Sequence, residues 1–144
     1  MKKFVFRLES CLRLRRHREE VEEIRLSELM SDRLRFHNEK EQLQLALIGT
    51  QKEMTEKKII TSEEVNLYRR YATSLEKKIV DLAARIRQLE ARIDLQRSIL
   101  LKARQTRKVV DRLKEKRRER HQNEADRQIQ LEMEELHLLR REQE

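Results

Sequence analysis

The apolar residues in the second half of the chain recur at alternating steps of four and three residues. The spacing begins at Leu75 and continues to Val110, and seven of its first eight positions are apolar. The positions are Leu75, Ile79, Leu82, Ile86, Leu89, Ile93, Gln96, Leu100, Ala103, Arg107 and Val110. Such a repeat is the seam of a coiled coil, where each apolar side chain packs against a facing helix. The repeat therefore predicts a long helix that needs a helical partner.

A weaker seam with the same spacing runs through the first half of the chain. Its positions are Leu26, Leu29, Arg33, Phe36, Lys40, Leu43, Leu47, Thr50 and Met54. The chain has no proline, one glycine and 43% charged residues, which leaves too little apolar material for an ordinary compact core. The first half is therefore predicted to form the partner helix.

The break between the two seams has the signature of a helix N-terminus. Thr61 and Glu64 form a capping-box pattern, flanked by Ile60 and Val65 at the spacing of a hydrophobic staple. We predict an all-α fold, a long antiparallel two-helix coiled-coil hairpin with its turn near residues 56–61. The first helix should span about residues 5–55 and the second about 62–140, and residues 1–144 should form a single coiled-coil unit.

A turn near residue 60 makes residues whose numbers sum to roughly 120 face each other, so residues beyond about 120 have nothing opposite them. The C-terminal part of the second helix is therefore expected to project. It keeps an apolar stripe of Ala125, Ile129, Met133 and Leu136 without a partner inside the hairpin.

Positive charge is concentrated in one part of the sequence. Residues 102–120 contain ten Lys or Arg against three Asp or Glu, a net of +7, whereas residues 121–144 have a net of −4. The pairing rule places the basic stretch beside Arg13, Arg15, Arg16 and Arg18, at the end of the hairpin away from the turn. This predicts a basic tip, although a solvated charged face is an equally ordinary explanation for any one arginine.

The residues that enzymes and metal sites require do not occur in suitable groups. The four histidines are isolated in the sequence, and Cys11 fits a small seam residue better than a nucleophile. One glycine cannot build a phosphate-binding loop. Arg7 and Glu9 interrupt the short apolar start, which argues against a signal peptide. We expect no enzymatic activity, no cofactor and no metal.

Three stretches resemble the FliJ family of flagellar type III export: KFVFRLESCL at residues 3–12, VNLYRRYATSLEKKI at residues 65–79 and LKEKR at residues 113–117. The resemblance implies an antiparallel coiled coil similar to the central stalk of rotary ATPases. The implied partners are the hexameric export ATPase, the cytoplasmic region of the export gate, and export chaperones that have released their cargo. The implied location is the cytoplasm, peripheral to the inner membrane at the flagellar base and held there by partners only.

Two groups of residues are candidates for partner contact. In FliJ-like proteins an aromatic and a leucine at the places matching Tyr71 and Leu75 are implicated in gate contact, and the family's aromatic there is Phe in some members where this chain has Tyr. Tyr68 belongs to the same block. For the ATPase ring we expect the basic residues of the tip to face acidic loops. These are Arg13, Arg15, Arg16, Arg18, Arg112, Lys114, Arg117 and Arg118.

Other functional classes fit parts of the same sequence. A basic coiled coil could bind nucleic acid, because +7 within nineteen residues would support salt-sensitive contact with phosphates. No recognised nucleic-acid motif accompanies the charge, and we expect no nucleic-acid partner. A structural coiled-coil spacer, or a stalk protein of the related injectisome, also remains open.

Overall fold

The computed structural model describes residues 2–143 and consists of two long α-helices that pack against each other. Helix α1 spans Glu9–Glu56 and helix α2 spans Ser62–Glu142. Residues 57–61 connect them, and no strand occurs between residues 2 and 143. The predicted all-α helical hairpin, with its turn near residues 56–61, is confirmed.

Thr61 caps the start of α2 as the sequence predicts. The backbone N–H of Glu64 donates to Thr61 Oγ1 at 3.3 Å, and the N–H of Val65 donates to the Thr61 carbonyl at 3.1 Å. The Glu64 carboxylate does not complete the reciprocal half of the capping box. It lies 3.5 Å from Lys57 Nζ instead, so the turn is closed by an ion pair as well as by the cap.

Helix α1 begins at Glu9, four residues later than expected. The chain first makes a turn in which Glu9 N–H donates to the Phe6 carbonyl at 3.2 Å. Phe6 is only 6% exposed, and Lys114 Nζ and Arg117 Cζ of α2 lie 6.0 and 5.8 Å from its ring centroid. Burial of this ring against α2 explains why the first residues leave the helical path, since burying an aromatic stabilises more than one further helical turn would.

The contacts of the hairpin fall into two compact units. One is Glu22–Leu100; the other joins the chain up to Val21 with the chain from Leu101 onward. We call them the turn unit and the terminal unit. Behaviour of residues 1–144 as one coiled-coil unit stays a prediction.

The packed face of the turn unit follows the predicted seam. Its buried apolar residues include Leu75, Leu82, Ile86, Leu89, Ile93 and Leu100. Every seam position predicted between Leu26 and Met54 on α1 is partly buried, including Arg33 and Lys40. Lysine and arginine can occupy such positions because their alkyl stems pack while their charged ends reach water.

The C-terminal part of α2 projects without internal cover, as predicted. Ala125 is the last buried residue, and every side chain from 126 to 142 is exposed. Neither α1 nor α2 has a stretch apolar enough, over the length needed, to cross a membrane in the described part of the chain.

Candidate functional site

The block after the turn presents one accessible aromatic ring on a packed support. Tyr71 is 47% exposed, Tyr68 is half-buried, and Leu75 is 4% exposed. The three residues lie on α2 in the turn unit, at steps of three and four that place them along one side of the helix. Leu75 therefore belongs to the packed seam, and Tyr71 offers most of the surface that a partner could reach.

Helix α1 adds exposed apolar surface to the same unit. Leu45 and Ile48 are exposed, and a Cβ added to Gly49 would meet nothing within 4 Å. The sequence analysis did not select Leu45 and Ile48, because they lie off the four-three repeat. Their position off the seam, beside the only glycine, is the signal that could have identified them.

All eight basic residues expected to contact the ATPase lie in the terminal unit, but the hairpin already uses some of them. Arg16 Nη2 lies 3.2 Å from Asp111 Oδ1, and Lys114 Nζ lies 2.8 Å from Glu9 Oε2. Arg117 stacks over the Phe6 ring. Arg15 is half-buried, and its Nε has no hydrogen-bond partner among residues 2–143.

The other four basic residues face solvent. Arg13, Arg18, Arg112 and Arg118 are exposed and form no ion pair with any residue that the structure describes. Two come from α1 and two from α2, and all belong to the terminal unit. The terminal unit therefore carries four exposed guanidinium groups outside its ion pairs, and we call these four residues the free arginine set.

A charged layer crosses the interior of the terminal unit. Glu19 is buried and accepts hydrogen bonds from Arg107, and Arg104 Nε lies 3.5 Å from Glu19 Oε1. Arg107 also donates to Asp111 Oδ2 at 2.6 Å. The sequence analysis placed Arg107 in the seam but identified no partner for it, because Glu19 lies 88 residues away along the chain.

These contacts move the pKa values of the participants. Hydrogen bonds to Glu19 and Asp111 raise the pKa of Arg107 above its ordinary value. Burial alone would raise the pKa of Asp111, but hydrogen bonds from Arg107 and Arg16 outweigh it and lower that pKa. The hydrogen bond from Lys114 lowers the pKa of Glu9. Each of these three shifts favours the charged form of its group.

A second polar layer lies in the turn unit. Gln96 Nε2 donates to the Glu22 carbonyl at 3.1 Å and also to the Glu22 carboxylate. The residue numbers of this pair sum to 118, close to the predicted 120, whereas those of Arg16 and Asp111 sum to 127. The simple pairing rule therefore holds in the turn unit and drifts by several residues in the terminal unit.

Among the histidines and the cysteine, His121 and Cys11 are partly buried. His121 Nε2 lies 3.0 Å from the Lys2 carbonyl oxygen, and its ring meets the Phe4 ring edge-on at 5.5 Å. Cys11 is a partly buried free thiol. Within residues 2–143 no group of three or more His, Cys, Asp or Glu side chains is arranged to hold a metal ion.

Comparison with known proteins gives one match that spans nearly the whole chain. The family model described as flagellar FliJ protein matches residues 3–143. No curated protein and no solved structure matches the chain.

Proposed function

Because the chain belongs to the flagellar FliJ protein family, whose members are components of flagellar type III export, we propose that it acts as the non-enzymatic central stalk of the export ATPase. The match over residues 3–143 carries this proposal, and it confirms the family resemblance of the three sequence stretches. A long helical hairpin is also the architecture that a stalk inside a hexameric ring requires.

The proposed partners are three. The ATPase hexamer surrounds or contacts the hairpin, the cytoplasmic region of the export gate binds the block after the turn, and export chaperones are recruited for recycling after cargo release. The protein then works in the cytoplasm, peripheral to the inner membrane at the flagellar base. Partner binding, with no chemistry of its own, is the mechanism proposed for it.

The free arginine set supports contact with the ATPase. Arg13, Arg18, Arg112 and Arg118 are exposed and form no ion pair with any residue that the structure describes, so their charged ends are accessible to a partner. Uncompensated surface charge steers association with an acidic surface and makes that association sensitive to salt. Arg16 and Lys114, by contrast, would have to break their ion pairs within the hairpin before they could contact a partner.

The proposal is tested by reversing the free arginine set. With all four residues changed to Glu, stimulation of the purified export ATPase should fall, and the remaining stimulation should depend less on salt. The matched control reverses Arg69, Arg70, Arg85 and Arg87, four exposed arginines of the turn unit, and so makes the same change in net charge. Equal loss of ATPase stimulation in both variants, or no loss in either, would show that the free arginine set does not make this contact with the ATPase.

Partner identity is tested with the full chain as bait in a lysate of motile bacteria, with the captured proteins identified by mass spectrometry. Recovery of the export ATPase and the gate supports the stalk function.

A nucleic-acid function remains the second candidate because of the net +7 within residues 102–120. Tight DNA binding by the purified chain at physiological salt, measured by fluorescence anisotropy, would favour that function instead.

A further inference from the structure

The segment of α2 at residues 126–142 has a large apolar surface and nothing in the described chain that covers it. Its exposed apolar side chains are Ile129, Leu131, Met133, Leu136, Leu138 and Leu139. An open groove of about 640 Å³ runs along the segment, with Met133, Leu136 and Arg140 in its lining. Monomeric proteins rarely leave large contiguous apolar patches in water, so this segment is a candidate interaction surface.

One face of the segment has the spacing of a helix-packing stripe. Ile129, Met133 and Leu136 follow one another at steps of four and three, and Ala125 lies one turn earlier on the same side. Leu131 lies on the side opposite Ile129, since two residues turn the helix by about 200°. The stripe is therefore directional, and a single helix could cover it.

The charges at the two ends of the segment differ in sign. Asp126 lies before the stripe and Arg140 after it, both within about 60° of Ile129 around the helix, and neither side chain forms an ion pair with another residue of the described chain. A helix with this arrangement is complementary to itself in the antiparallel direction. A parallel copy would instead place like charges next to each other, which is destabilising.

We propose that this face binds the same face of a second copy of the chain in an antiparallel helix pair. Ile129 of each copy lies opposite Leu136 of the other when the facing residue numbers sum to 265. The same register places Asp126 beside Arg140 at both ends of the interface. The pair is isologous, so every contact occurs twice.

The register also predicts a weakness at its centre. Glu132 lies near the twofold axis, opposite Met133 of the other copy and close to the second Glu132. Two carboxylates brought together in this way repel each other. Removing the charge at this position should therefore strengthen the pair, which is an unusual expectation for a change from Glu to Gln on an exposed helix.

The experiment is sedimentation equilibrium of the full chain across the micromolar range. The wild type should show a reversible monomer–dimer equilibrium. Leu136→Ser should raise the dimer Kd by about a hundredfold, because two leucines are lost per dimer. The matched control is Leu131→Ser, since Leu131 is 50% exposed and Leu136 58%, and it should leave the Kd unchanged. Glu132→Gln should lower the Kd.

Charge exchange tests the direction of the pair. Asp126→Arg and Arg140→Asp should each weaken the dimer, and the two changes together should restore it, with circular dichroism showing that helicity is kept. A wild type that remains monomeric throughout, or an equal effect of Leu136→Ser and Leu131→Ser, overturns the proposal. If the wild type is monomeric and Leu136→Ser alone abolishes ATPase binding, the occupant is the ATPase and the second copy is wrong.

Discussion

Among single residues, Tyr71 combines exposure with firm support from its neighbours. Its ring is about half accessible, while Leu75 one turn later is buried. Aromatic side chains of this kind make strong anchors for a partner, since they bury a large area at small entropic cost. Tyr71→Ala should therefore leave helicity and ATPase stimulation nearly intact while it reduces binding to the gate and swimming motility.

Two further variants separate contact from packing. Val80→Ala removes a still more accessible apolar side chain, 64% exposed against 47% for Tyr71, from the opposite face of α2 and should leave gate binding unchanged. Leu75→Ala should lower the thermal midpoint of the hairpin, because it creates a cavity in the seam. If Tyr71→Ala also melts the hairpin, Tyr71 is a packing residue; unchanged gate binding would exclude it from the contact.

Glu19 is the residue on which the charged layer of the terminal unit depends. It accepts hydrogen bonds from Arg107 and lies within ion-pair distance of Arg104. Glu19→Ala should lower the free energy of unfolding by about 1–3 kcal/mol, because it leaves Arg107 partly buried without this acceptor. Urea denaturation measures the difference.

Glu20 supplies the control for that measurement, since it is the same residue type one position along and is exposed. Glu20→Ala should change the free energy of unfolding by less than about 0.5 kcal/mol. Glu19→Leu alone should also lower the free energy of unfolding. The double variant with Arg107→Leu should recover much of that loss, since apolar side chains can replace a buried ion pair at little cost. Equal effects at Glu19 and Glu20 would mean that the layer contributes no stability.

At the scale of the helices, acid should weaken the attachment of α1 to α2 in the terminal unit. Glu9 of α1 pairs with Lys114, and Asp111 of α2 pairs with Arg16. The pKa values of both carboxyl groups are lowered in the folded state. Their stabilisation is therefore complete above the ordinary pKa of about 4 and is lost as the pH falls through the lower folded values.

A series of thermal unfolding curves between neutral pH and pH of about 2 measures this effect. The midpoint should fall most steeply below a pH of about 4, and Asp111→Asn should make that fall shallower because one of the two groups no longer titrates. Asp94→Asn is the control, since Asp94 lies in the turn unit and is exposed. A midpoint that is independent of pH across this range would show that neither ion pair stabilises the fold.

The helices also show which features the sequence could and could not predict. Local signals placed the start of α2, because Thr61 caps the helix that follows it, and the four-three repeat identified Leu82, Ile86 and Ile93 as packed residues. The start of α1 was missed, since the burial of Phe6 depends on residues more than 100 positions away. Long-range contacts of this kind leave no periodic pattern in the sequence.

The same limit applies to the candidate surfaces. The sequence identified a basic region, but it could not show that Arg16 already forms an ion pair with Asp111, and Lys114 with Glu9. Only the packed structure separates these paired residues from the free arginine set. Exposure divides the residues expected to contact the gate in the same way, because Tyr71 is accessible and Leu75 is buried.

Across the whole molecule, we expect the packed hairpin to provide stability and the uncovered end of α2 to provide a binding surface. Residues 126–142 contribute no buried side chain, and α2 remains helical there although isolated helices of this length are marginal in water. The charge changes sign in the same region, from +7 over residues 102–120 to −4 over residues 121–144. Stability should therefore come from the chain up to Ala125, and the final segment should serve binding.

Truncation tests this division of the molecule. A chain that ends at Ala125 should unfold at nearly the same temperature as the full chain at low protein concentration, because no buried side chain is lost, and its helical signal should fall in proportion to the residues removed. A chain that ends at Val110 should unfold at a clearly lower temperature, since it also loses Asp111, Lys114 and the surface that buries Phe6. Circular dichroism during heating measures both. If ending the chain at Ala125 lowers the midpoint as much as ending it at Val110, residues 126–142 stabilise the hairpin itself, and their exposed apolar face cannot be reserved for a partner.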